Sequence, residues 1–262
     1  KKKAIKSLHF AFVLSITLER RLIVIKSPFK LPRFFTRIPK NLKNITQIER
    51  FKSSAFSHCD LNKFLSIESQ IIILKDDNWD INDLLLSPQI CDLIPQPFNT
   101  HGMFLLTRLM NFTTNIFFQP NQLQIGISLE FIPNEISLLK VVRHLTEGYS
   151  NWVIHLYSPD HVYLHNLAKK LKKILNIQIN VIKELNKETV NILVQSDKFI
   201  GSLGFFQSHL LTQIRGRGGI WLDPRNTMIV ETSSSQSGAL FLMGKKSAND
   251  LMCPGGVSAF QQ

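Results

Sequence analysis

From Leu123 onward the chain alternates short apolar runs with stretches whose apolar residues recur at helical spacing, and this alternation most constrains its fold. Leu123–Leu129, Trp152–Tyr157, Ile177–Ile182, Phe199–Ile200 and Met228–Val230 read as strands. Between them Asn134–Glu147 carries Leu138, Leu139, Val142 and Leu145 on one side. Asp160–Leu175 has a polar cap at its start and Lys169, Lys170, Lys172 and Lys173 near its end, where cations suit the helix dipole. Lys187–Gln195 and residues 205–215 complete the helices. Strand and helix joined by short links predict a mainly parallel sheet with helices on both faces.

The first half is less regular. Ile5, Leu8, Phe12 and Ile16 predict a helix over residues 4–18, Arg21–Ile25 a strand, and Ile71–Leu74 a short buried strand. Residues 26–66 are basic and show no clear period, and Asp76–Asp83 with Pro88, Pro95 and Pro97 predicts loops with short helices. Gln119–Gln122 reads as a linker. The expected domains are therefore 1–118 and 119–262. Nine of the twelve glycines lie at or after Gly201, so tight turns and close backbone approaches are expected mainly in the last quarter.

With 44% apolar and 19% charged residues the chain is not of the disordered class. Glu19-Arg20-Arg21 interrupts the longest apolar stretch, so no bilayer-spanning segment is expected. Three cysteines do not make a disulfide framework. Residues 1–70 hold 15 Lys/Arg against 4 Asp/Glu, a net +11 of the chain's +12. Such a basic half suits an anionic ligand, whether nucleic acid, phospholipid headgroup or nucleotide phosphate, or simply a solvated surface. The chain opens on Lys1-Lys2-Lys3 without a Met, and no small-residue cleavage site follows the apolar run Leu8–Ile16. A chain whose true start lies upstream is expected.

Phe199-Ile200-Gly201-Ser202-Leu203-Gly204 follows a strand and precedes a helix, where backbone amides approach a pyrophosphate and the helix N-terminus adds positive partial charge. Two glycines in a turn also occur with no ligand at all. His161 and His165 lie one helical turn apart with no third ligand apparent, and no Asp-x-Asp occurs, so no metal site is expected. There is no Gly-x-Ser-x-Gly nucleophile elbow. Arg215-Gly216-Arg217-Gly218-Gly219 is similar to a piece of an Arg/Gly tract, but one copy beside a helix reads as a basic loop, and a nucleic-acid partner is not expected.

Three segments, in order, resemble the fucosyltransferase superfamily that includes the protein O-fucosyltransferases. In Ala4–Val24 a helix leads to Glu19-Arg20-Arg21-Leu22, similar to the family's Asn-Arg-Thr-Leu, with Arg20 matching and Glu19 and Arg21 replacing Asn and Thr. The family's Gly-rich loop would precede Lys1. Trp152–Asp160 is similar to the strand that ends in Ser-Asp or Thr-Asp near the nucleotide. Ser196-Asp197-Lys198-Phe199-Ile200-Gly201 resembles Asp-x-Phe-Ile-Gly, and Ser208 and Arg215 then fall on family positions. Two motifs depart. The family's His-x-Arg, whose Arg contacts the donor pyrophosphate, corresponds to Ser128-Leu129-Glu130, and its Ser-Ser-Phe to Phe205-Phe206-Gln207.

The resemblance implies a GT-B-like α/β fold, two Rossmann-like halves facing a cleft, the first on the acceptor side and the second binding the nucleotide. It implies a metal-independent, inverting transfer from a sugar nucleotide, GDP-fucose being the expected donor, to a glycan or protein acceptor. Arg215 is assigned to the departing diphosphate, Ser158, Gly201, Ser202 and Ser208 to the donor, and Asp160 to the base or ribose; the resemblance names no general base, and Glu130 is a candidate for that role only with its carboxylate turned away from the diphosphate. Glu130 and Phe205-Phe206-Gln207 also fit a catalytically degenerate fold that binds glycans or a protein. The stretch Ile200–Gly204, then Ser208-His209-Leu210-Leu211 and Glu231, is similar to the EGF-domain O-GlcNAc transferase group, with Leu203 replacing its first His. The compartment is expected to be the secretory pathway for a eukaryotic chain and the cytoplasm for a bacterial one, with membrane attachment through an upstream segment.

Overall fold

A computed structural model describes residues 2–25, 27–37, 47–69, 71–75, 78–224 and 229–232. The chain divides into two units, one holding Lys1–Met110 and the other Asn111–Lys245.

In the first unit α1 (Lys2–Thr17) places Ile5, Leu8, Phe12 and Val13 on its buried side, against α3 (Ile81–Leu86) and α5 (Phe98–Leu109). Lys6 Nζ meets Asp80 Oδ2 at 2.6 Å, and Asp80 also caps α3 by accepting from Asn82 N. Helices α2 (Arg33–Thr36) and α4 (Pro88–Leu93) are single turns or little more. Strand β1 (Ile48–Phe51) pairs in parallel with β2 (Ile71–Leu74), the strand expected from Ile71–Leu74. Phe10, Phe56 and Phe64 gather round the buried Trp79.

Arg21–Ile25 does not form the expected strand. Among the described residues it has no ladder partner. Arg20 donates to the carbonyls of Ile67 and Ser69, Val24 N meets only Phe35 O, and Ile25 is 75% exposed. An apolar run with neither a pairing edge nor a buried face stays irregular.

The second unit carries a six-stranded sheet of order β5-β4-β3-β6-β7-β8: β3 (Leu123–Ser128), β4 (Trp152–Tyr157), β5 (Gln178–Ile182), β6 (Lys198–Ser202), β7 (Gly219–Leu222) and β8 (Ile229–Thr232). All its pairs are parallel except β7 with β8. Leu123, Ile125 and Ile127 of β3 join the buried cluster made with Leu138 and Val142 of α6 (Glu135–Thr146) and Leu164, Leu167 and Leu171 of α7 (His161–Leu175). The opposite face meets α8 (Lys187–Gln195) and α9 (Phe206–Arg215): a Cβ on Gly126 would lie 3.0 Å from Leu193 O, and one on Gly201 3.1 Å from Ser208 Cβ. The sheet is thus mainly parallel and covered on both faces, the α/β class that the alternation predicts.

Three helices of the second unit have a local reason to begin. Asn134, Asp160 and Asn186 cap α6, α7 and α8 through side-chain oxygens. Helix α9 differs. Its cap position is Phe205, which offers no side-chain acceptor.

Candidate functional site at the carboxyl edge of β3 and β6

The chain passes from β3 outward to β4 and β5, then returns to the other side of β3 with β6. That reversal places a topological switch point between β3 and β6. In open parallel sheets ligands bind in the crevice beyond the carboxyl ends of the strands at such a point. The register is flush there, because Ser128 pairs with both Tyr157 and Gly201. Ser128, Tyr157, Ser158, Gly201 and Ser202 therefore share one edge.

The loop Ser202–Phe205 turns through Gly204, whose φ of 77° lies in the left-handed region, and delivers the first turn of α9 to this crevice. A hydroxyl network pins it. Ser208 Oγ accepts from Ser202 N at 3.0 Å and donates to Ser128 O at 3.1 Å. Ser202 Oγ donates to the same carbonyl at 3.4 Å and accepts from Glu130 N at 2.8 Å. Ser128, Ser202 and Ser208 are fully buried.

Glu130, two residues beyond the end of β3 and half-buried, reaches across the switch point. Its carboxylate accepts from Gln207 N at 3.2 Å and Ser208 N at 2.6 Å, the second and third amides of α9. The cap that Phe205 lacks is supplied by the segment that follows β3. Gln207 Nε2 donates to the Tyr157 hydroxyl at 3.2 Å. Burial pushes that phenol above its ordinary range, the Glu130 charge adds to the rise, and the Gln207 bond opposes it. Phe131 and Phe205 stack beside this group, centroids 5.7 Å apart.

The structure brings Glu130, Ser158, Gly201, Ser202 and Ser208 to one edge. Ser158 is buried and its Oγ accepts from Asp160 N at 3.3 Å. Asp160 is exposed nearby, where its carboxylate caps α7 by accepting from Tyr163 N at 2.9 Å. Arg215 lies elsewhere. It ends α9, and its guanidinium donates to the carbonyls of Ser196 and Asp197, which precede β6. Five strand steps of roughly 3.3 Å separate Asp197 from Ser202, so the charge sits about 16 Å from the carboxyl edge. The expected contact of Arg215 with a departing diphosphate does not fit this placement. The side chain is 6% exposed, and burial lowers its pKa to about 10, with Arg217 adding to the shift and Asp197 opposing it. Tyr157 was not singled out by sequence reading, and Gln207 entered it only as the last residue of Phe205-Phe206-Gln207, the departure from the family's Ser-Ser-Phe. Tyr157 had one signal, its place at a strand's end before Ser158.

The edge offers what an anion needs: main-chain amides at a helix N-terminus, partial positive charge, and hydroxyls that hold the loop rigid. Among the described residues no three His, Cys, Asp or Glu side chains stand together as metal ligands, and no helix is long and apolar enough to cross a membrane.

No protein-family model matches the chain, and no curated protein matches it in sequence. Its architecture does match a solved structure, a mutant of the Arabidopsis thaliana fucosyltransferase FUT1 in complex with GDP, with a TM-score of 0.57 over 89% of this chain and 72% of that one. The chain has a fucosyltransferase-like fold. At 14% identity the likeness is one of fold. The fucosyltransferase-like fold accounts for the α/β class and the doubly wound second unit, and leaves the chemistry to the residues at the edge.

Proposed function

We propose that the chain is a sugar-nucleotide-dependent glycosyltransferase of the fucosyltransferase type, with the donor diphosphate held at the carboxyl edge between β3 and β6. The observation that carries this reading is the first turn of α9 presented at the switch point, in a fold shared with a protein whose structure holds GDP. Residues 119–262 are the nucleotide side and residues 1–118 the acceptor side. The donor is a GDP-sugar, with GDP-fucose the first to try, and the acceptor a glycan or protein hydroxyl.

The transfer inverts the anomeric centre and uses no metal. The acceptor oxygen attacks the anomeric carbon, the bond to the phosphate oxygen breaks, and charge grows on the departing diphosphate. The amides of Gln207 and Ser208 meet that charge once the Glu130 carboxylate has left them, and the hydroxyls of Ser202 and Ser208, which donate to Ser128 O, hold the loop in place. Ser158 lies on the same edge, and Asp160 is placed where a ribose or base would pass.

A second reading, a degenerate fold that binds glycans or a protein partner, is favoured by one observation: the α9 amides are already held by Glu130. Calorimetric titration with GDP, followed by a GDP-fucose hydrolysis assay, separates the two. GDP binding with release of fucose supports the transferase. Binding of neither GDP nor GDP-fucose supports the degenerate fold.

A further inference from the structure

The first turn of α9 already holds an anion, and that anion belongs to the chain. We infer that Glu130 is a built-in competitor for the donor site: its carboxylate occupies the place of a phosphate, and a nucleoside diphosphate binds by displacing it. This rests on the donor-site reading above and adds regulation to it.

The argument begins with the amides. Gln207 N and Ser208 N each give their hydrogen to one oxygen of the same carboxylate, at 3.2 and 2.6 Å. A carboxylate and a phosphate present the same kind of charged acceptors, and these two donors serve one anion at a time. A diphosphate arriving with Glu130 in place meets spent donors and a like charge, and like charges placed together oppose binding.

A second polar group at this spot, Ser128 Oγ, is fully buried and has no hydrogen-bond partner among the described residues. Ser128 pairs with Gly201, whose Cβ direction runs into Ser208, so the Ser128 side chain shares the face that α9 covers. The Glu130 cap leaves this hydroxyl unsatisfied.

Displacement needs no change in the sheet. Glu130 lies past the last paired residue of β3, and its backbone is anchored separately, N–H to Ser202 Oγ at 2.8 Å. Rotation of the side chain vacates the amides while the hydroxyl network stays. The vacated amides of α9 then need another acceptor, water or a ligand's phosphate oxygens, because Phe205 supplies no cap of its own.

The test titrates the full chain with GDP and, separately, with inorganic pyrophosphate, in wild type, E130Q and E130A. E130Q keeps the side chain's shape and removes its charge, and E130A empties the place. Both variants are expected to bind GDP and pyrophosphate about tenfold more tightly than wild type, as removal of a juxtaposed like charge predicts. In wild type, GDP is expected to shift the amide NMR signals of Gln207 and Ser208, a readout that needs no variant. Equal GDP affinity in all three proteins, or unmoved Gln207 and Ser208 signals at saturating GDP, overturns the inference and leaves the donor site standing. Absence of GDP and pyrophosphate binding in all three, with folding confirmed by circular dichroism, overturns the donor site itself.

Discussion

Replacing Arg215 by alanine is expected to damage the fold and spare the donor site, the reverse of what its family position implies. The guanidinium gives two charge-assisted hydrogen bonds, to Ser196 O and Asp197 O, from a side chain only 6% exposed. Hydrogen bonds to charged groups contribute roughly 1.5–3 kcal/mol each, about 3–6 kcal/mol for the pair. Burial of the charge offsets part of this, as the lowering of its pKa to about 10 indicates. A shift of that size corresponds to roughly 3 kcal/mol against the charged form. Truncation also removes the packed stem and leaves two carbonyls without their donor, which restores about 1–3 kcal/mol of loss. The net expectation is a loss of about 1–6 kcal/mol. Urea denaturation followed by tryptophan fluorescence measures it, since Trp221 is buried on neighbouring β7. GDP affinity of the folded Arg215→Ala protein should stay within about twofold of wild type, because roughly 16 Å separates the two ends of β6. Unchanged stability together with a hundredfold loss of GDP affinity or turnover would refute the placement of Arg215 as a structural residue.

Two further expectations concern acid and glycine. His155 is buried, bonded through Nε2 to Gln124 Oε1 at 2.8 Å, and burial lowers its pKa from 6.5 to about 4. Its contribution is fully present above pH 6.5 and is lost as pH falls towards 4, by up to about 3 kcal/mol. His9, lowered to about 3 by burial with Asp80 opposing, acts with the same sign in the first unit. Denaturant midpoints between pH 7 and 4 should fall in wild type and fall less in H155Q. G201A should lower stability by about 1–3 kcal/mol, since the new Cβ would lie 3.0 Å from Phe199 Cε1 and 3.1 Å from Ser208 Cβ. It should also weaken GDP binding by pushing the first turn of α9 off the edge, which calorimetry would detect.

The second unit was legible because its signals are local. Leu123–Leu129, Trp152–Tyr157 and the capped helices that follow them announce themselves in consecutive residues. The strands that escaped notice lacked such a signal. Residues 48–51 of β1 alternate exposed with half-buried positions and so show no buried face. Strand β7 begins at Gly219, the last residue of the Arg215–Gly219 stretch that had suggested a basic loop, yet all four of its residues are buried. The antiparallel run of β8 on β7 needs a pairing partner that spacing does not reveal.

The site divides in the same way. Ser158, Gly201, Ser202 and Ser208 follow directly from strand ends and the turn into α9, and they do share an edge. Arg215 follows Ser208 by seven residues, two turns along one helix, which carries it about 10 Å away from the first turn. Proximity in sequence along a helix axis is separation in space. The role of Glu130 was not readable at all. A carboxylate that caps a helix from the segment that follows β3 depends on the sheet order β3-β6, which the sequence pattern does not state. Asp160, expected near the base or ribose, has a local task as the cap of α7, and that task was visible in the sequence as a polar start to the helix.

The most direct test of the account is amide hydrogen exchange of the full chain with and without saturating GDP. The account predicts slowed exchange in residues 129–131 and 202–208, the two segments that flank the switch point, with little change in residues 196–199 and 216–220 at the opposite edge. Unchanged exchange in residues 202–208 with GDP demonstrably bound, or protection confined to the opposite edge, would contradict it.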